Sequence, residues 1–232
     1  MFSVCGHSCD QCAGKANSLF RKLDVSELTR VNTQKISYTF QKGESIFHHG
    51  DPSEYVFCIE AGTVQLFRSS QSREQSFGII GTGAAIGYRD ALAKIPYQHN
   101  ARALTRTTVC KVKREDFQAM MERNPVFMAA VVSELAGGWQ ESEKQSYNLG
   151  ARKTIERLAD FILTLKKDRQ TTLEEGIDFP FTRETVATLL GTTTESIIRT
   201  FSDFKARGYI DFMNGKLFLK NESALSKLVL ET

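Results

Sequence analysis

No stretch of this 232-residue chain is apolar for long enough to cross a bilayer, since its longest apolar run falls far short of the ~18 to 20 residues a spanning helix needs. The amino terminus has no basic region leading into an apolar stretch and a small-residue cleavage site, so the chain reads as unprocessed, cytoplasmic and without a membrane partner. Charge of one sign is also missing. Residues 151–232 hold 13 Lys+Arg against 12 Asp+Glu and the remainder holds 17 against 15, so only the local placement of basic residues can speak for a polyanionic partner. No nucleophile–base spacing, phosphate-cradling glycine loop or paired-carboxylate motif is present, and the chain is not expected to be an enzyme. Tandem repeats and low-complexity tracts are absent too. Cysteine is scarce but informative. The five residues are an odd count, which argues against a disulfide framework, and they are unevenly spread: Cys5, Cys9 and Cys12 are crowded together, while Cys58 and Cys110 sit alone in apolar runs.

What is present, at 41% apolar residues, suffices for one large or two ordinary domains. Between Phe40 and Val112 the runs Glu44–Phe47, Tyr55–Glu60, Thr63–Phe67, Ser76–Ile80 and Thr107–Val112 are rich in β-branched and aromatic residues. Glycines punctuate them, and that spacing predicts an all-β barrel or sandwich. At Asn124-Pro125 a good N-cap precedes proline at the first helical position. Met128, Val132, Leu135 and Trp139 then follow the four-three spacing of a coiled-coil seam, continued by Ser142, Ser146 and Leu149. A helix of ~25 residues would be ~37 Å long and must overhang a compact β domain, which points to a homodimer interface with a weak, partly polar seam. A core helix packed on its own β domain accounts equally well for residues 126–135. A second helix from Ala151 to about Lys167 carries Ile155, Leu158, Ala159, Ile162 and Leu165 on one face, and 168–178 reads as a polar connection.

Residues 181–219 carry the most specific signal. Thr182 is placed to cap a short helix with Val186, Leu189 and Leu190 on one face, Gly191 supplies a tight turn, and Thr192-x-x-Glu195 matches a capping box opening a second helix. On that helix Ile197, Phe201 and Phe204 face inward, while Glu195 and Arg199 lie one turn apart on the other face. Arginine can donate two hydrogen bonds to guanine and a carboxylate can accept from cytosine, so the pair suits a major groove. Taken alone it could equally be a solvent-exposed i,i+4 pair worth ~0.3–0.5 kcal/mol. It is followed, however, by Asn214-Gly215 between two β runs, the strongest two-residue hairpin signal. Helix, glycine turn, capped helix and wing form a DNA-binding module. Its candidate contacts are Arg183, Thr194, Glu195, Ile198, Arg199 and Lys205, with Arg207 and Lys216 also available for phosphates.

With these elements in order, the sequence resembles the CRP/FNR family of bacterial regulators over essentially its whole length. GESIFHHGDPSEYVFCIEAGTVQLF is similar to the family's β-roll signature, and TTTESIIRTF to its recognition helix. The resemblance implies an α+β chain with an N-terminal β-roll of the cyclic-nucleotide-binding, jelly-roll type, a long dimerisation helix and a C-terminal winged helix-turn-helix. It divides the chain into a cysteine-rich segment (1–20), a β-roll (21–123), a dimer helix (124–149) and a DNA-binding domain (150–232). It also implies that Glu195 and Arg199 read the TGA core of a palindromic half-site in double-stranded DNA, and that the dimer recruits or blocks RNA polymerase. Ile198 stands where the oxygen-sensing branch usually has serine, which leaves the outer bases open.

Cyclic AMP is not expected. Tyr88 follows Gly87 where the family's ribose-binding glutamate would be, and the phosphate-binding Arg-Ser pair falls on about Asn100-Ala101. Instead, Cys5-x3-Cys9-x2-Cys12 is similar to the N-terminal cysteine segment of the oxygen-sensing branch, and the strand around Cys110 to the one carrying its distant ligand. The resemblance thus implies a [4Fe-4S] cluster on Cys5, Cys9, Cys12 and Cys110, lost to oxygen or nitric oxide. Ser18 stands where that branch uses a further cysteine, so Cys5, or His7, has to replace it. Zinc, thiol oxidation, haem or another small ligand controlling the same DNA-binding output stays open. Cys58 is assigned to the core, because free cysteine is among the most buried residue types, and His48, His49 and His99 are assigned to loops.

Overall fold

A computed structural model of the chain describes residues 2, 3, 9, 12, 18–71, 73–169 and 176–230. The chain divides into two units, Met1–Glu141 and Ser142–Thr232. The first contains β1 (Phe2–Ser3), a 3-10 turn (Leu19–Lys22), α1 (Val25–Gln34), β2 (Ile36–Phe40), β3 (Ser45–Phe47), β4 (Tyr55–Ala61), β5 (Thr63–Ser69), β6 (Glu74–Gly81), β7 (Ala85–Ile86), α2 (Tyr88–Ala93), β8 (Asn100–Ala103), β9 (Thr107–Lys113), α3 (Arg114–Arg123) and the first part of α4 (Pro125–Ala151). Two antiparallel sheets, β1-β2-β9-β4-β7 and β3-β8-β5-β6, make a β-roll. All five β runs read from the sequence are strands within a few residues. β2 and β8 lie outside those runs and complete the sheets by long-range pairing, with Tyr38 opposite Val109 and Arg102 opposite Gln65.

Alternation along β4 and β9 divides the interior. Phe57, Ile59 and Val109 enter one core with Phe47, Val64 and Tyr97. Val56 and Val112 enter a second core with Phe20, Val31, Phe117, Phe127 and Val131. The period-two geometry of a strand puts successive side chains on opposite faces, so the same strand feeds both cores.

Asn124 caps α4, its side-chain oxygen accepting from the Phe127 N–H at 3.0 Å. With 27 residues the helix is about 40 Å long. Its faces differ. Phe127 and Val131 are fully buried and Leu135 packs partly on the same core, a spacing of one residue per turn. Burying Phe127 and Val131 contributes about 1.5–3 kcal/mol each. Met128, Val132 and Trp139 point away and are 46%, 57% and 70% exposed. Of the four residues read as a seam, Leu135 therefore belongs in part to the core, while the other three form an outward apolar stripe.

The second unit contains the end of α4, α5 (Thr154–Arg169), β10 (Ile177–Asp178), α6 (Arg183–Leu189), α7 (Thr194–Ala206), β11 (Ile210–Met213), β12 (Lys216–Leu219) and α8 (Glu222–Leu230). Leu158, Ala159 and Ile162 of α5 are fully buried, as are Val186, Ile197, Phe204, Leu217 and Leu225. The polar connection read over 168–178 ends in a strand. Ile177 pairs with Leu217, which makes the wing a three-stranded sheet in the order β10-β12-β11. Residues 170–175 of that connection lie outside the described residues. Asn214 and Gly215 turn the hairpin with φ of 51° and 75°, and Met213 faces Lys216 across it. The fold is α+β: a β-roll, a long helix and a winged helix-turn-helix.

Candidate functional sites

The helix-turn-helix is held by local chemistry. Thr182 caps α6, its hydroxyl oxygen accepting from the Thr185 N–H at 3.0 Å. Gly191 takes φ of 60°, a left-handed conformation that glycine enters without a Cβ penalty, and so turns the chain between α6 and α7. The cap of α7 lies one residue later than the spacing predicts. Thr193, not Thr192, accepts from the Ser196 N–H at 3.2 Å, and the Thr192 hydroxyl instead meets that of Thr154 at 3.4 Å. Ile197, Phe201 and Phe204 anchor α7 inward.

Glu195, Ile198 and Arg199 are exposed on the opposite face of α7, with Thr194 half-buried at its start. Among the described residues Glu195 and Arg199 form no ion pair, although Asp203 and Arg207 on the same helix do, at 2.9 Å. The surface-pair alternative for Glu195 and Arg199 is thus not realised, and both side chains are turned to solvent. Around them the basic residues are more occupied than the sequence suggests. Lys205 pairs with Asp211 at 2.9 Å and Lys216 with Asp178 at 3.9 Å. Arg183 lays its guanidinium over Phe201 and Phe212, 3.9 and 4.5 Å from the ring centroids, and burial there lowers its pKa. Exposed ion pairs are worth ~0–1 kcal/mol, so a lysine held this way can exchange its carboxylate for a phosphate at little cost.

The second site is in the β-roll unit. Cys9, Cys12, Cys58 and Cys110 line one cavity of about 40 Å³, together with Ser18 and Lys35. None of the four is in a disulfide among the described residues, and Cys110 is buried and the others half-buried. Cys9 is held to α1 by its N–H, which donates to the Asn32 side-chain oxygen at 2.8 Å, and the Lys35 ammonium donates to its sulfur at 3.3 Å. Cys110 donates to Glu60 at 3.8 Å. Burial pushes the Cys58 thiol well above its ordinary pKa; Cys110, Cys9 and Cys12 push it further up and Lys35 opposes them. Four sulfurs and an ammonium gathered this way can bind a soft metal or exchange electrons. Among the described residues no three His, Cys, Asp or Glu side chains stand as a ready chelate for a metal ion. Cys5 and His7 lie outside the described residues. The sequence reading placed Cys58 in the core, against which it packs, and did not single out Lys35; nothing local shows that β4 and β9 bring Cys58 opposite Cys110.

The positions that matter for a cyclic nucleotide sit elsewhere in the roll. Tyr88 opens α2, and its phenol is pushed up to about 12, chiefly by burial. Asn100 accepts from the His49 N–H at 3.0 Å and donates to the Phe67 carbonyl at 3.4 Å. On the same strand Arg102 is taken up by Glu74 and Gln65, both at 2.7 Å. His99 stacks edge-on against Phe77 and meets Arg89 at 3.0 Å, and His48 pairs with Asp51 at 3.6 Å.

A capped helix presented after a glycine turn and followed by a wing, joined through a long helix to a β-roll, defines a DNA-binding transcription regulator. Two family models match the chain, a cyclic nucleotide-binding domain over residues 38–124 and a Crp-like helix-turn-helix domain over residues 156–228. The chain belongs to the CRP/FNR family. It is 24% identical to the nitrogen fixation regulation protein FixK of Bradyrhizobium diazoefficiens, over 96% of this chain and 94% of the relative. It is also 24% identical to the fumarate and nitrate reduction regulatory protein of Escherichia coli, over 98% and 92%. The structure of FixK2 from Bradyrhizobium japonicum matches with a TM-score of 0.77 at 23% identity, covering 84% of this chain and 96% of that one. These relatives are regulators rather than enzymes. No described helix is long and apolar enough to cross a membrane.

Proposed function

We propose that the protein is a homodimeric regulator that reads TGA-containing palindromes through α7 and is switched by a [4Fe-4S] cluster at the thiol cavity. The reading of DNA rests on one observation: Glu195 and Arg199 stand a turn apart, exposed and outside any ion pair among the described residues, on a helix anchored by Ile197, Phe201 and Phe204. Ile198 beside them is 50% exposed and is suited to a thymine methyl. Arg183, Thr194 and Lys205 flank this face and fix the register on phosphates.

The donor set of the cavity fits the cluster, which takes four thiolates. Cys9, Cys12 and Cys110 would hold it, and the fourth thiolate, which the sequence alone assigns to Cys5, would complete the set. When bound, the cluster supplies an oxygen-labile bond between the N-terminal segment and the β-roll. Lys35 places positive charge beside the Cys9 sulfur, where thiolates need it. Phe20, Val31 and Val112 line the cavity and belong to the core that takes up Phe127, Val131 and part of Leu135. Ordering at the cavity therefore acts on the inner face of α4, while Met128, Val132 and Trp139 offer the outer face to a second copy. Cyclic AMP has no part in this scheme, and RNA polymerase is the partner downstream.

Two measurements test the proposal. Anaerobically purified protein is expected to be brown, to contain iron and sulfide, and to prefer a TGA palindrome to random duplex, with all three lost in air. A colourless anaerobic preparation that binds the palindrome equally well in air refutes the sensor. A dimer with its metal intact and no preference for any TGA palindrome refutes the DNA reading.

A further inference from the structure

We propose that Cys58 is the fourth thiolate of the cavity, filling the role that Ser18 lacks the sulfur to play, so that the ligand set is Cys9, Cys12, Cys58 and Cys110. The inference rests on the cluster reading above and names the ligand which that reading leaves to Cys5. Its first support is register. Cys58 of β4 and Cys110 of β9 are direct partners across an antiparallel ladder, so their side chains leave the same face of the sheet, and paired positions hold their Cβ atoms about 4.5–5.5 Å apart. Their neighbours Ile59 and Val109 leave the other face into a different core.

The second support is packing. On either side of Cys58, Val56 is 0% and Ile59 is 1% exposed, whereas Cys58 is only half-buried and lines the cavity with the other three thiols. Cys58 packs against the core that takes up Phe127 and Val131 and lines the cavity as well, so its sulfur borders both. The third is the chemistry of Ser18. It lines the same cavity, but its hydroxyl oxygen accepts from the Phe20 N–H at 3.2 Å and caps the 3-10 turn. An alcohol is a hard donor with a high pKa, and iron–sulfur clusters are held by thiolates. Two ligands then come from the rigid sheet and two from the N-terminal segment, so that binding fastens one to the other.

The test uses the full chain, purified without oxygen, and reads iron, acid-labile sulfide and the visible spectrum. Wild type is expected to hold about four iron and four sulfide per chain. Cys58→Ala should lose at least about tenfold in cluster affinity, as removal of a direct ligand should cost no less than loss of its outer-shell support, and Cys5→Ala should lose none. Adding Ser18→Cys to Cys58→Ala should restore the cluster, because residue 18 already faces the cavity. Full occupancy and an unchanged spectrum in Cys58→Ala, with loss in Cys5→Ala, overturn the assignment to Cys58 and leave the cluster reading standing. Loss in Cys58→Ala that Ser18→Cys does not repair, with a lowered melting temperature of the metal-free chain, assigns Cys58 to packing and overturns it as well. Wild type that takes up zinc alone, or no metal, overturns the cluster reading itself.

Discussion

Replacing Arg199 by alanine removes a side chain that is exposed, outside any ion pair among the described residues, and carried on a helix whose anchors lie on the opposite face. Folding should therefore be unaffected within about 0.5 kcal/mol, the range for surface substitutions. The effect on DNA should be large. A bidentate arginine–guanine contact discriminates by ~1–3 kcal/mol, and a palindrome bound by a dimer contains it twice, so the loss is ~2–6 kcal/mol. In dissociation constants that is about 30-fold at the lower end and on the order of 10⁴-fold at the upper. Fluorescence anisotropy at one fixed salt concentration, with the TGA palindrome and with duplexes altered at a single G·C pair per half-site, separates reading from contact. Arg199→Ala should bind poorly to the first and show no further loss on the others, since the group that distinguished them is gone. Lys205→Ala should weaken all the duplexes alike. Equal losses for both variants on every duplex would refute the assigned roles.

Three further outcomes follow from other contacts. Thr193→Ala should cost about 1 kcal/mol and lower the melting of the C-terminal unit by roughly 4–8 °C, while Thr192→Ala should cost less than half as much; calorimetry showing the reverse order would restore the capping box. Asp211→Asn loosens the hold on Lys205, so binding should tighten on all duplexes, and the gain should vanish when Lys205→Ala is added; a gain that survives Lys205→Ala means that Lys205 touches no phosphate. Burial, then Arg89, lowers His99 to about 4 from an ordinary 6.5, so the folded state keeps it neutral where the unfolded chain takes a proton. Its stabilisation is present above pH ~6.5 and is lost as the pH falls toward ~4. Urea midpoints across that range should fall more steeply for wild type than for His99→Gln, and parallel profiles would contradict the shift.

The parts of the molecule that were legible in the sequence are those fixed by neighbours along the chain. Asn124-Pro125, Thr182, Gly191 and Asn214-Gly215 each set a cap or turn through their own backbone chemistry, and the structure has those features where the residues stand. Three consecutive threonines defeat such local logic. Which of them caps α7 depends on Thr154, far away in sequence, which engages the Thr192 hydroxyl. The strand β10 is short and becomes a strand only because β12 is there to pair with it. The site shows the same division. The exposed face of α7 follows from helical periodicity, but the occupation of Lys205 by Asp211 depends on where the wing returns. Cys58 was read as core and does pack against it, but its place opposite Cys110 was not legible, because register across a sheet is a long-range property.

The thiol cavity and the outer stripe of α4 are joined by a single packed core, and under the proposed switch this would make a weak seam useful. Phe127 and Val131 are enclosed with residues that line the cavity, while Met128, Val132 and Trp139 on the other face are exposed and give way to Ser142 and Ser146 along the helix. A seam apolar along its whole length would hold two chains together whatever the state of the cavity. Under the proposed switch a marginal seam would leave the dimer equilibrium open to a modest bias, since shifting it from mostly apart to mostly together takes ~5.5 kcal/mol of differential stabilisation. Under the proposed switch the polar half of α4 would be as functional as the apolar half, because it would keep association conditional on what the four sulfurs hold.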